Sequence, residues 1–588
     1  MGSFFKLTLI NKMELKKLLL AALFSITFIS CNQSTQKLSS KDAADAIYFG
    51  GDIITMEGDS ASYDEAVAVK NGKIIFVGKK TEAEKLMGDI TKLNDLKGKT
   101  LLPGFIDPHL HASIAASILP VEIVSAMEWN TPNGKSIVLK DHDAFINRLK
   151  ELDKSYGDPE KILMAWGYFE PYHGKISKDE LNSISLTRPI IVWQRSCHEF
   201  YLNDAALKHF NITEADFNKM PQYCNYKEGH VFEAGLFVVT KPVLDYISNP
   251  AQFSKGLEMM TDVIHKGGLT TICEQGFPQV DLNLEQTLIS KEINKPSTPF
   301  RYEMVPNAMY FYPILKSGTK VLEFCDSLVK TGKDKMDYVK AVKFYVDGAI
   351  FSQLMIMSQP YEDNHRGEWM MQPKEQDDVF ETFYKAGWDI HIHVNGDGGL
   401  DTLLAIIDRA KSLTPNSTSK IFLEHYGYAR QDQHEKVAEY GILVSNNPYY
   451  YYELSGPYSK EGLGPERASK ISSIGSLEKL KVPLSFHSDY FMAPAEPLLL
   501  VWSAVNRINS NGDVLAPEEK VSLLTAMKAV TIEAARSIRM EKEIGTIAAG
   551  KKADFVLLGE NPFKIDPMKI KDIKIYSTIF EGKEFKIQ

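Results

Sequence analysis

His109 and His111 stand two residues apart at the end of the stretch Leu102 to Pro108, and side chains two apart on a strand point the same way. Two imidazoles so placed can meet one ion. Alone the pair says little, because histidines are common both in cores and on surfaces. Three further residues give it weight: His393, His425 and Asp489 each close a separate apolar run. Imidazole nitrogens joined by a carboxylate are a donor set suited to Zn2+ or another divalent transition metal. His391 and His487 lie two residues before His393 and Asp489 and share their side of the chain. They are open to two readings, as partners behind the ligands or as further ligands.

Such residues need a scaffold that gathers distant run ends. Eight apolar runs read as parallel strands: Leu101 to Asp107, Thr270 to Gln275, Phe300 to Val305, Val342 to Asp347, Trp388 to Val394, Ile421 to His425, Gly441 to Asn446 and Val482 to Ser488. Helical-length stretches such as Asp377 to Ala386, Leu400 to Lys411 and Asp432 to Ala438 separate most of them. Strand alternating with helix eight times predicts an α/β fold of the (β/α)8, or TIM barrel, type, in which catalytic groups sit at the C-terminal strand ends. The first and second strands are about 150 residues apart, far beyond an ordinary crossover. An inserted subdomain is therefore expected over residues 112–265, within a barrel spanning 101–540. Short β-rich runs at Ala46 to Met56, Glu65 to Val77 and Lys97 to Leu102, with the hairpin signal Asn71-Gly72, match the texture of Gly545 to Leu558 and Ile573 to Phe585. They predict one small β-sandwich domain built from both chain ends, residues 43–100 and 541–588.

A chain of 588 residues with 44% hydrophobic composition can bury a large core. Its net charge of -9, with no basic stripe, gives no footprint for nucleic acid. Near the start, Lys12, Lys16 and Lys17 precede an apolar run from Leu18 to Ile29 that is too short to span a bilayer comfortably. Residues 1–30 read as a signal peptide, with Met13 an alternative start. The ending Phe28-Ile29-Ser30-Cys31 resembles the bacterial lipobox. A lipidated Cys31, a polar tether over 31–42 and an exported lipoprotein at the outer membrane are expected. Cys197, Cys224, Cys273 and Cys325 show no CxxC spacing and read as unpaired thiols.

Several segments together resemble the amidohydrolase superfamily, and within it the amidohydrolase-3, YtcJ-like group. They are Leu102 to His111 (LPGFIDPHLH), Gly268 to Thr271, Val342 to Gly348 (VKFYVDG), His393 to Asp397 (HVNGD), Phe422 to His425 (FLEH), Gly464 to Ala468, Ser488-Asp489, and Ile544 to Val556. The resemblance implies a ligand set of His109, His111, Lys343, His393, His425 and Asp489 around one or two metal ions. Lys343 enters as a carbamate, since an ammonium has donors only. Metal-assisted hydrolysis is the chemistry implied: the pKa of water falls from 15.7 toward about 7, and Asp489 accepts the proton and returns it to a departing nitrogen. His198, in the insertion, is the candidate for polarising the oxyanion. A small-molecule substrate with an amide-type carbon-nitrogen bond is expected. A deaminase or cyclic-amide hydrolase would use the same parts, and a metal-stabilised binding lipoprotein would keep the fold without turnover. The loops Ala349 to Gln353 and Asn447 to Tyr452 depart from the group's pattern, and the four consecutive tyrosines are read as packing residues.

Overall fold

The computed structural model describes residues 42–132, 134–247 and 249–587, so the signal segment and Cys31 lie outside the described residues. Gly104 is where the chain changes role. The run Leu101 to Asp107, read from sequence as one strand, is two. Thr100–Pro103 pairs with Phe555–Leu558 and Ala46–Ile54, whereas Phe105–Leu110 (β1) pairs in parallel with Leu269–Phe277 (β2). A Cβ at Gly104 would lie 2.2 Å from Thr270 Oγ1, so only glycine fits this junction.

The first half of that run joins an eight-stranded sheet contributed by both ends of the chain. Its order is Lys583–Lys586, Ile575–Phe580, Phe555–Leu558, Thr100–Pro103, Ala46–Ile54, Tyr63–Lys70 and Lys73–Gly78, with Lys92–Asp95 paired to Ala46–Ile54. Asn71 and Gly72 turn the hairpin with φ of 48° and 72°, the left-handed pair that a tight two-residue turn requires. Period-two alternation splits the residues between two faces: Tyr48, Val67, Val69, Phe555 and Ile579 form one apolar cluster, and Ile47, Ala66 and Ala68 another.

β1 and β2 continue into Arg301–Pro306 (β3), Ala341–Tyr345 (β4), Asp389–Val394 (β5), Ile421–His425 (β6), Leu443–Asn446 (β7) and Leu484–Phe486 (β8). β1 to β3 make one parallel sheet, and β4 to β8 a second in sequence order. Strands buried on both faces carry near-continuous apolar runs, which is why all eight are visible in the sequence. Met336–Tyr338 adds a short strand beside β3 that the sequence does not announce, because three residues with a central aspartate make no run. The two sheets meet at two seams. Asn307, just past β3, bridges Lys343 in β4. Past β8, the Asp489 amide donates to the His109 carbonyl at 3.0 Å, and the His111 amide donates to the Tyr490 carbonyl at 3.0 Å.

Between β1 and β2 lies a six-stranded sheet of its own, ordered Cys224–Asn225, His230–Phe232, Glu199–Leu202, Ile190–Gln194, Leu163–Tyr168 and Glu122–Ile123. The helix Pro250–Lys266 then leads into β2. Its Gly256 lies against Ala112–Ile118 so closely that an added Cβ would fall 1.8 Å from the Ala116 carbonyl oxygen. Cys197, Cys224, Cys273 and Cys325 are all free thiols. Among the described residues, no helix is long and apolar enough to cross a membrane.

Candidate metal centre

β1 delivers His109, and His111 follows as the N-cap of the helix Ala112–Ile118. β6 ends on His425 and β8 is followed by Asp489. Both adopt left-handed backbone, with φ of 72° and 54°, a conformation L-residues rarely hold and one that clusters at functional sites. The Ser488 amide and hydroxyl both donate to Asp107, and the His109 amide donates to the same carboxylate at 3.3 Å, locking β8 against β1. Burial pushes the Asp107 carboxyl up to about 7, against those hydrogen bonds.

The strand ends converge on Asp489. Its Oδ1 lies 3.4 Å from His109 Nε2 and 3.2 Å from His111 Nε2. One ligand atom from each of these three residues lies within 4.8 Å of the others, and the same holds for His109, His425 and His487. His425 Nδ1 is 3.2 Å from His487 Nε2 and 3.7 Å from Asp489 Oδ2. The His393 ring stands 4.4 Å from that of His425, with its Nε2 3.0 Å from Asn395 Nδ2. Lys343 is fully buried beside them, and its charge acts on His109, His393 and His425.

Burial, reinforced by neighbouring cationic groups, holds His109, His393 and His425 well below the ordinary imidazole range, and burial brings His487 down to about 4 although Glu424 and Asp489 favour its charged form. Neutral imidazoles are the form that binds a metal. His111 behaves oppositely: burial works against its charge, but Asp489 and Glu274 carry it up to about 9. Burial lowers Lys343 to about 8, although Glu424 and Asp489 favour its charged form.

Two carboxylates back this cluster that reading the sequence did not assign. Glu424 Oε2 lies 2.8 Å from His109 Nδ1, and its Oε1 lies 2.7 Å from His391 Nδ1. Burial raises its pKa, but the His391 hydrogen bond and the Lys343 charge outweigh that and hold it down. Glu274 Oε1 lies 3.0 Å from His111 Nδ1, while its Oε2 accepts from the Tyr302 hydroxyl at 2.8 Å. The available signal was an acidic residue inside each of two otherwise buried strands. His391 thereby stands behind Glu424, and His487 joins His109 and His425 directly. Tyr450 is a third omission: its hydroxyl donates to Asp489 Oδ2 at 3.0 Å and sits 3.1 Å from His425 Nδ1. All four tyrosines pack as the sequence suggested, Tyr450 included, and only its hydroxyl contacts to Asp489 and His425 go beyond packing.

His198 lies on the insertion, near enough for its charge to act on His393 and for Asp489 to act on it. Asp347, which shares a strand face with Lys343 in the sequence, instead anchors loops, accepting from the amides of Asn395, Gly396 and Ile356 at 2.8 Å each.

The donor set fits a divalent metal ion. His109 Nε2 and Asp489 Oδ1 are buried with no hydrogen-bond partner, and each unsatisfied buried group costs about 1–3 kcal/mol. A cation between them satisfies both. Carboxylates on the far nitrogens of His109 and His111 complete the carboxylate–histidine–metal arrangement.

The sequence profile of the amidohydrolase family matches residues 92–585. The chain is 24% identical over 560 residues to YtcJ of Bacillus subtilis (strain 168), covering 92% of this chain and 98% of that one. It is 22% identical over 539 residues to the N-substituted formamide deformylase of Arthrobacter pascens, covering 88% and 94%. Among solved structures, an uncharacterized metal-dependent hydrolase from Pyrococcus horikoshii OT3 has a TM-score of 0.67 at 22% identity, covering 89% of this chain and 99% of that one. With the family's profile matched over most of its length, the chain belongs to the amidohydrolase family.

Proposed function

We propose that this protein hydrolyses an amide-type carbon-nitrogen bond in a small molecule, using a divalent metal held by His109, His111, His393, His425 and Asp489. One observation carries the reading: the buried, unpartnered His109 Nε2 and Asp489 Oδ1 face each other at 3.4 Å, with Glu424 and Glu274 fixing the two histidines from behind. When bound, such an ion acts as a Lewis acid and lowers the pKa of water at the site. Asp489, held by the Tyr450 hydroxyl at one oxygen, takes the proton from water and hands it to the departing amine nitrogen. His198 donates to the carbonyl oxygen as charge builds there. Lys343 Nζ is a buried amine without a hydrogen-bond partner, which supports its conversion to a carbamate and the binding of a second ion. We read β1 to β8 as a closed (β/α)8 barrel joined at the two seams, carrying the six-stranded insertion and a domain formed by both chain ends.

The test is a panel of N-formyl amines, N-acyl amines and cyclic amides incubated with metal-loaded protein. Release of amine or ring-opened acid, abolished by chelation, is expected. Ammonia released from amino-substituted rings instead would select a deaminase, and no turnover anywhere would favour a binding protein. The amide reading is also in keeping with the A. pascens relative, a formamide deformylase. Export rests on the sequence alone. Cys31→Ser is expected to release the protein from the detergent phase, and unchanged partitioning would remove the lipoprotein reading.

A further inference from the structure

We infer that Glu233 is a positioning residue that holds His198 as a hydrogen-bond donor toward the reacting carbonyl; this rests on the hydrolytic reading above. Glu233 grips His198 at two points. Its Oε2 lies 3.0 Å from His198 Nδ1, and its backbone amide donates to the His198 carbonyl at 3.0 Å. An imidazole nitrogen facing a carboxylate carries the proton, so Nδ1 is committed to Glu233 and Nε2 is left to serve the site.

The segment that carries His198 is latched from several sides. Arg195 donates through Nη2 to the Met492 carbonyl at 2.7 Å, three residues past Asp489, and its guanidinium stacks 3.9 Å from the Phe351 ring centroid. Ser196 Oγ lies 2.8 Å from Ser352 Oγ in the loop after β4, and accepts from the His198 amide at 3.1 Å. The insertion is thus fastened to loops following β4 and β8, the strands that carry Lys343 and lead to Asp489. Two non-glycine residues pay for this placement with left-handed backbone, Cys197 at φ 66° and Glu233 at φ 44°. Glu233 Oε1 is buried without a hydrogen-bond partner, an arrangement that packing alone gives no reason to keep.

The test uses the full-length, metal-loaded protein, an N-formylated amine as probe, and the variants His198→Asn, Glu233→Gln and their combination. His198→Asn is expected to lower kcat by about 10²-fold with KM near wild type, as for a lost oxyanion donor. Glu233→Gln is expected to lower kcat in the same sense, with metal content and Tm unchanged. The double variant should be no slower than His198→Asn, because the two act as one unit. Losses that multiply in the double variant, or a Glu233→Gln enzyme at the wild-type kcat, would overturn the assignment. A readout independent of turnover keeps the two readings apart. Proton NMR of the zinc-loaded protein should show a downfield imidazole Nδ1–H resonance that vanishes in both His198→Asn and Glu233→Gln. If that pattern appears while no amide is hydrolysed, the hydrolytic reading falls and the clasp stands. If the resonance survives in Glu233→Gln, the clasp falls.

Discussion

At the residue scale, Asp489 is touched by two imidazoles and a phenol, each held in its own way. Asp489 meets His109 and His111 through Oδ1 and the Tyr450 hydroxyl through Oδ2, so its two oxygens have separate tasks. Asp489→Asn keeps the shape and removes the base, and turnover should fall by about 10²-fold or more. Metal content must be measured on the same sample, and an Asn variant that keeps its metal and its rate would refute the role. Glu424 touches no substrate in this account, yet it orients His109 and His391 together. Glu424→Gln should weaken metal affinity by about 10–100-fold, read by competition with a chelator of known affinity. Wild-type affinity would show that the histidines need no such backing. His109, His111, His425 and Asp489 were legible in the sequence because each ends an apolar run. Glu424, Glu274 and Tyr450 were not, because their roles depend on contacts between residues far apart in the chain. The link between His109 and Glu424 spans 315 positions.

At the element scale, the strands were legible for the reason that makes them stable: burial on both faces leaves little room for polar residues. Boundaries were less so. Nothing in Leu101 to Asp107 marks the change of sheet except Gly104, whose need becomes visible only with Thr270 beside it. Gly104→Val should therefore destabilise the protein through steric overlap where β1 leaves the terminal sheet, costing about 1–3 kcal/mol. A lowered Tm with an unchanged metal-to-protein ratio in the remaining folded fraction is expected, and an unchanged Tm would mean that the junction yields. The insertion was legible as a length anomaly, but its sheet was not, since several of its strands are only two or three residues long. Its attachment also escaped the sequence, because the latching contacts of Arg195 and Ser196 reach to Met492 and Ser352, far along the chain.

At the scale of the whole molecule, strand ends far apart in the chain gather one cluster of histidines and carboxylates, in which burial keeps His109, His393, His425 and His487 neutral while Asp489 and Glu274 favour the charged form of His111. That cluster explains why buried polar groups are tolerated at the heart of the largest apolar core. A cation that binds only the folded state stabilises it by mass action, and chelation should lower Tm accordingly. The most direct test of the central claim is elemental analysis of purified wild-type protein alongside the His109→Ala/His111→Ala variant. At least one divalent transition metal per chain is predicted in the wild type, and most of it should be lost from a variant that remains folded. A folded double variant with its full complement of metal would contradict the account.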